Sequence, residues 1–192
     1  MNVPSSGARS RFKASVFLSY PKPCMLEQEL FIDRLCDYLD GRGLAPRTLG
    51  VTDYDMDAPL KAIRRLLLES NGLITVAFRR TYIASGAENH LASSSAVMTR
   101  PLDGTWLTSP WAHIEPAMAY QLGLPILIMR ENGVRADGML EAGVAGFYMP
   151  SFDPMESLDE YFTSAEWNDL IWKWETRVRS VMDRKGNPPQ LY

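Results

Sequence analysis

Strand-like runs and helical stretches alternate along the first two thirds of this chain, and that alternation constrains its fold more than any other feature. Ala14 to Tyr20, Leu44 to Leu49, Leu73 to Phe78 and Leu124 to Met129 are short, mostly apolar, and each bounded on at least one side by Gly or Pro. Strands apolar on both faces need cover on both faces, as in a parallel sheet. Helical patterns at 25–40 and 58–70 separate the first three runs, and crossovers of that length join parallel neighbours. The pattern predicts a three-layer, flavodoxin-like α/β fold with a five-stranded parallel sheet. Gly146 to Met149, closed by Pro150, is read as the fifth strand, and 157–182 as a C-terminal helical segment interrupted near Ser164. Pro46 cannot donate to a ladder, which places the second strand at an edge. The division that follows is a tail at 1–12, a domain at 13–183 and a second tail at 184–192.

Residues 79–110 break the rhythm. After Arg79 and Arg80, about 25 residues rich in Ala, Ser, Gly and Asn show no period, so 84–108 is read as an irregular insert beside the ligand crevice. Two arginines leaving a strand can meet a phosphate, although such pairs are more often solvated. The insert ends at Ser109-Pro110-Trp111-Ala112-His113-Ile114-Glu115-Pro116. Ser109 suits a helix cap and Pro110 the first turn. Trp111 and Glu115, four apart, share one face of the helix that opens there, while Gly123 closes it. A carboxylate beside a large ring at a sheet edge can meet a ligand. The competing reading is a solvated helix-start Glu beside a packing Trp.

Composition narrows the classes of function. With 20 basic and 23 acidic residues and a formal net charge of -3, the chain has no global attraction for a polyanion. Cys24 and Cys36 form no scaffold of bridges, and His90 and His113 are the only histidines, so no histidine-rich metal site is expected. The polar start and the lack of any long apolar run lead to the expectation of a cytoplasmic protein. No Gly-x-Gly-x-x-Gly follows the first strand and no Gly-Lys-Ser/Thr occurs, which removes dinucleotide-loop and P-loop readings. In open parallel sheets the ligand lies outside the carboxyl ends of the strands. Ser19 and Tyr20, Asp53 to Asp57, Arg79 and Arg80, and the Ser109–Glu115 segment all fall there.

Phe17-Leu18-Ser19-Tyr20 resembles the opening strand motif of TIR domains, and Ser109-x-Trp111-x-x-x-Glu115 resembles their serine, tryptophan and glutamate. The resemblance spans roughly residues 13–150. The run from Glu115 to Ile126 is also similar to nucleoside 2-deoxyribosyltransferases, whose Glu is a nucleophile. Both families cut N-glycosidic bonds with a carboxylate. The resemblance implies that NAD is the substrate and that no other cofactor takes part. It makes Glu115 the catalytic residue, with Ser19 and Tyr20 lining the nicotinamide-ribose end and Trp111 abutting a ring or ribose. Ser109, Asp53, Arg79 and Arg80 are the further binding candidates. It also implies antiphage-defence signalling, self-association, and a downstream effector that senses a cyclic product. The insert, His113 and Pro116 depart from the family pattern. The rival readings are a nucleoside or nucleotide N-glycosidase and a non-catalytic TIR-like adaptor. The aromatics Tyr161, Phe162, Trp167, Trp172 and Trp174 are read as sheet cover or as an oligomer face.

Overall fold

A computed structural model describes residues 13–94, 96–145 and 148–184; both expected tails lie outside this range except for Arg184. The chain runs β1 (Ala14–Ser19), α1 (Leu26–Gly41), β2 (Leu44–Arg47), α2 (Pro59–Glu69) and β3 (Leu73–Ala77). Four short strands follow, β4 (Thr81–Ile83), β5 (Ala87–Glu88), β6 (Arg100–Pro101) and β7 (Thr105–Leu107). Then come α3 (Trp111–Gln121), β8 (Ile126–Glu131), a 3₁₀ turn (Gly138–Leu140), β9 (Ser151–Phe152), α4 (Leu158–Thr163) and α5 (Ala165–Asp183).

The central sheet has the order β2-β1-β3-β8-β9 and is parallel throughout, with Ser19 beside Thr75 and Thr75 beside Ile128. This is the five-stranded parallel sheet expected, with β2 at the edge where Pro46 needs no partner for its nitrogen. On one face Leu18, Ile74 and Met129 pack against Phe31 and Leu35 of α1 and Trp167 and Trp174 of α5. On the other face Phe17 and Leu73 meet Ile63 and Leu66 of α2 and Ala119 of α3.

Packing decides four points. The buried stripe of α1 is Gln28, Phe31, Ile32, Leu35 and Leu39, while Leu26 and Leu30 are 64% and 49% exposed. The 28/31/35/39 series keeps to one helical face, and burying it puts a polar Gln in the interior. The fifth strand is Ser151–Phe152, not the run before Pro150; Gly146 and Phe147 lie outside the described residues. Pairing starts just after the proline, whose carbonyl accepts from the Arg130 amide at 3.0 Å. Arg130 and Glu131 finish β8 rather than leaving it in a turn. Finally, Phe162, Trp167 and Trp174 are core residues, so of the aromatics proposed for an interface only Trp172, 61% exposed, offers a free indole. The break at Ser164 is as expected: its Oγ accepts from the Trp167 amide at 3.1 Å and starts α5.

The insert is not irregular. β4 pairs antiparallel with β7, β5 with β6, and both pairs keep one register, Thr81 opposite Leu107 and Ala87 opposite Pro101. One ribbon therefore carries both, interrupted by three residues on each side. Tyr82 and Trp106 stand opposite one another with ring centroids 4.9 Å apart, a cross-strand pair that fixes the register. The ribbon is fastened to the loop after β8 by the Arg135 amide, which donates to the Trp106 carbonyl at 2.8 Å.

Gly72 marks where α5 presses on the entry to β3. A Cβ there would stand 2.6 Å from Val178 Cγ2 and 3.2 Å from Trp174 Cζ2, close to the bond from Trp174 Nε1 to the Pro125 carbonyl. Gly72→Ala should therefore cost about 1 to 3 kcal/mol in urea unfolding, with part of the loss relieved by trimming Val178 to Ala in the same chain. Additive losses in that cycle would refute the close contact.

Candidate active site

Side chains alternate along each strand, so Ser19 and Thr75 point to the face covered by α2 and α3 while Leu18 and Tyr20 point to the other. The strand order reverses direction between β1 and β3: the chain leaves β1 through α1 on one face, and leaves β3 through the ribbon to α3 on the other. Such a switch point opens a crevice at the carboxyl ends of its strands. The N-terminus of α3 lies over it. The Ser109 hydroxyl accepts from the Trp111 amide at 3.3 Å, and the Pro110 carbonyl receives the amides of His113 and Ile114, so Ser-Pro starts the helix as expected.

Trp111 and Glu115 do share a face, but at different depths. Trp111, nearer the sheet edge, is 40% exposed; Glu115, one turn deeper, is 8% exposed. The Ser19 hydroxyl is the one polar neighbour that favours the ionised Glu115 carboxylate. Burial pushes Glu115 up from the ordinary 4.5 to about 7, and the Ser19 bond offsets only part of that rise. Among the described residues no ion pair involves Glu115. The solvated-Glu reading is thereby excluded. Beside Ser19, the Thr75 hydroxyl is buried and finds no hydrogen-bond partner among the described residues.

The other sequence candidates are placed elsewhere. Tyr20 packs with the core of the α1 face, its hydroxyl pushed up chiefly by burial. Asp53 is held by Arg47, whose Nε donates to Oδ2 at 3.1 Å, and Thr52 donates to it at 2.9 Å; the Arg47 bond draws its pKa down. Arg79 closes the end of β3, its Nε donating to the Asn132 carbonyl at 2.5 Å and standing 3.5 Å from Glu131 Oε1. Arg80 begins the ribbon, its amide donating to the Leu107 carbonyl at 2.9 Å. Ser109 is buried beside Thr108 at the helix start. Ser19, Ser109, Trp111 and Glu115 thus gather around one helix end, and Tyr20, Asp53, Arg79 and Arg80 do not join them.

A second buried carboxylate, Glu131, went unread in the sequence. It is fully buried on the α1 face, where Gln28 Nε2 donates to Oε2 at 2.9 Å and the Arg79 amide does so at 2.8 Å. Burial raises its pKa too, but the Arg79 amide, Gln28 and the Arg79 charge all pull the other way. The even spacing from Leu127 and Met129 to Glu131 was the available signal, hidden because Arg130-Glu131 looks like a turn. Two acids at one sheet edge therefore differ in kind. Glu131 has two donors on Oε2 and the Arg79 charge 3.5 Å from Oε1, whereas Glu115 has only the Ser19 hydroxyl to favour its ionised form.

No family model matches the sequence, and none of the curated proteins matches it. Among solved structures, the chain is similar to the CMP N-glycosidase BcmB of Clostridium botulinum, at 14% identity and TM-score 0.49, over 82% of this chain and 98% of that one. It is also similar to the TIR domains of the activated Roq1 resistosome, at 12% identity and TM-score 0.40, over 89% and 84% of the two chains. A conserved protein from Enterococcus faecalis V583 gives 12% identity and TM-score 0.40, over 86% and 99%. No helix among the described residues is long and apolar enough to cross a membrane.

Burial of Glu115 has a cost that pH reveals. Its folded pKa exceeds the unfolded one, so the folded state holds the extra proton between about 4.5 and 7, and stability falls as pH rises through that window. Glu115→Gln removes the burden. The variant should be more stable than the wild type by about 3 kcal/mol at pH 8, by about 1.5 at pH 5.5, and equal to it below about pH 4.5. Urea unfolding of both proteins across that range is the check; a constant difference would mean that Glu115 does not titrate as a buried acid.

Proposed function

We propose that the chain cleaves the nicotinamide–ribose bond of NAD, with Glu115 as the catalytic carboxylate. The observation that carries this reading is a buried acid, pushed up to about 7, held by Ser19 at the switch point of a parallel sheet and offered no cation by the described residues. A positively charged pyridinium ribose is the ligand such a group suits, since its charge restores the neutrality that burial denied.

The chemistry follows from charge. As the C1′–N bond breaks, its electron pair passes to the pyridinium nitrogen, so nicotinamide leaves neutral and needs no acid. Positive charge moves onto the ribose ring, and an ionised Glu115 facing that ring stabilises it. Water then bonds to C1′ and gives up a proton, and a carboxylate of pKa near 7 is matched to accept it at neutral pH. If a ribose hydroxyl of the same ligand attacks instead, the product is cyclic and the same proton accounting holds. Trp111, exposed one turn above, covers the ring or ribose, and Ser19 fixes the carboxylate. Hydrolysis supplies ADP-ribose and cyclisation a cyclic ADP-ribose, the kind of product a downstream defence effector would sense.

Nicotinamide release by wild type and Glu115→Gln tests this directly. The variant should lose roughly 10²- to 10⁴-fold in rate, corresponding to about 3 to 5 kcal/mol of transition-state stabilisation, with NAD affinity changed far less. For the wild type, kcat/KM should rise about tenfold per pH unit below about 7 and level off above, because only the ionised carboxylate acts. Retention of more than about a third of the rate by a folded variant would remove Glu115 from the chemistry. Product mass analysis with a nucleoside monophosphate panel alongside NAD separates the N-glycosidase and adaptor alternatives.

A further inference from the structure

We propose that the cavity between the ribbon and the loop after β8 is a phosphate subsite, so that the chain takes phosphorylated nucleotides in preference to nucleosides. For its substrate the proposal rests on the reading of Glu115; for the anion it rests on the cavity alone. The space measures about 510 Å³ and is lined by Arg100, Arg130 and Arg135 against a single carboxylate, Glu88. Gly104 and Gly133 also line it, where backbone can approach a ligand without a side chain between. Guanidinium forks match phosphate oxygens in pairs, which is why such clusters favour phosphate over a point anion.

The three arginines come from different elements and are variously occupied. Arg135 Nη2 pairs with Glu88 at 2.7 Å and its Nε with Asp137 at 3.2 Å, which holds the fork across the gap between loop and ribbon. Arg130 Nη1 donates to the Val134 carbonyl, while its Nε is buried and makes no hydrogen bond among the described residues. Arg100 reaches in from β6 and is exposed. Three guanidiniums against two carboxylates, Glu88 and Asp137, leave the cavity one positive charge in surplus in a chain whose overall charge is negative. An anion would answer that surplus charge.

Register connects this cavity to the crevice. Arg130 stands beside Ala77, shares the α3 face with Ile128, and Ile128 lies beside Thr75, which lies beside Ser19. Two strand spacings and two residues of rise separate Ser19 from Arg130, roughly 12 Å between their Cα atoms. A ribose phosphate spans that gap once the reach of the arginine side chain is counted. A smaller cavity of about 230 Å³ continues the path, sharing Arg135 and running past His113 and Thr108 to Pro110 at the head of α3. The insert thus supplies Arg100 and Glu88 to the same face that holds Glu115.

The test uses inorganic pyrophosphate and the full chain in titration calorimetry. Wild type should bind it, Arg100→Gln and Arg130→Gln should each bind roughly tenfold more weakly, and Glu88→Gln should bind several-fold more tightly because Arg135 loses its competitor. That gain of affinity cannot come from a damaged fold, and Arg100 is exposed enough to change without unfolding. In turnover, NAD should exceed nicotinamide riboside in kcat/KM, and Arg100→Gln should narrow the ratio by raising KM for NAD alone. If wild type binds no pyrophosphate, or if Arg100→Gln and Glu88→Gln leave its affinity unchanged, the subsite is refuted, whether or not NAD is cleaved. Pyrophosphate binding with these responses, but no turnover of either substrate, would uphold the subsite and reject the reading of Glu115.

Discussion

Adjacent parallel strands whose crossovers depart to opposite faces cannot close the space above their carboxyl ends, and β1 and β3 are such a pair. The rest of the molecule is arranged around that opening. α1 and α5 seal one face with a continuous aromatic core, Phe31 stacked on Phe152 at 4.1 Å and Trp167 edge-on to Phe162 at 5.1 Å. α2 and α3 seal the other face with smaller side chains, and α3 comes close enough through Ala112 and Ala119 to drive Glu115 against Ser19. A bulkier residue at either alanine would lift the helix and return Glu115 to solvent. The small residues of α3 and the raised pKa of Glu115 therefore have the same origin.

The two glutamates buried at the sheet's carboxyl edge meet the same desolvation with different support. Desolvation is the largest influence on both. At Glu131 two donors, from α1 and the end of β3, and the nearby Arg79 charge answer it, and in doing so they join elements that would otherwise meet only through apolar contact. At Glu115 the answer is a single hydroxyl, and the remaining imbalance stays with the folded protein. Natural chains sit only about 5 to 15 kcal/mol above unfolding, so an uncompensated burial of this size is a substantial fraction of that margin. Function is the ordinary reason for such an imbalance.

Most of the scaffold was legible because its signals are local. Apolar strands, helix periodicity, Pro46 at an edge, Ser164 as a break and Gly123 after α3, at φ 68°, each act within a few residues. Ser19, Ser109, Trp111 and Glu115 were legible as a group because one helix start and one strand end carry them all. What was missed depends on long-range pairing. The ribbon has strands of two or three residues, too short for any period, and its register is held by Tyr82 against Trp106 across 24 positions. Gln28 and Glu131 are 103 residues apart, and nothing beside either one announces the other. Arg79 looked like a ligand because it leaves a strand, yet its guanidinium is spent on Asn132 and Glu131. Arg130 and Arg135, on β8 and the loop after it, are joined by Arg100 only through the ribbon that the sequence does not reveal.

The pKa of Glu115 also sets how protons move through the proposed reaction. At pH 7 about half of the molecules carry the proton, because the folded pKa is about 7. A pyridinium ribose seated against the carboxylate favours the ionised form, as any nearby opposite charge does, so binding expels that proton to solvent. Bond cleavage then removes the cation from the nitrogen and places it on the ribose, still facing the same carboxylate. Once water has attacked, its proton passes to Glu115, the ligand is neutral at that end, and burial again favours the protonated acid. The desolvation that burdens the folded state thereby resets the group after each turnover. A solvent-exposed glutamate, ionised throughout, could stabilise the charge but would have no tendency to take the proton back.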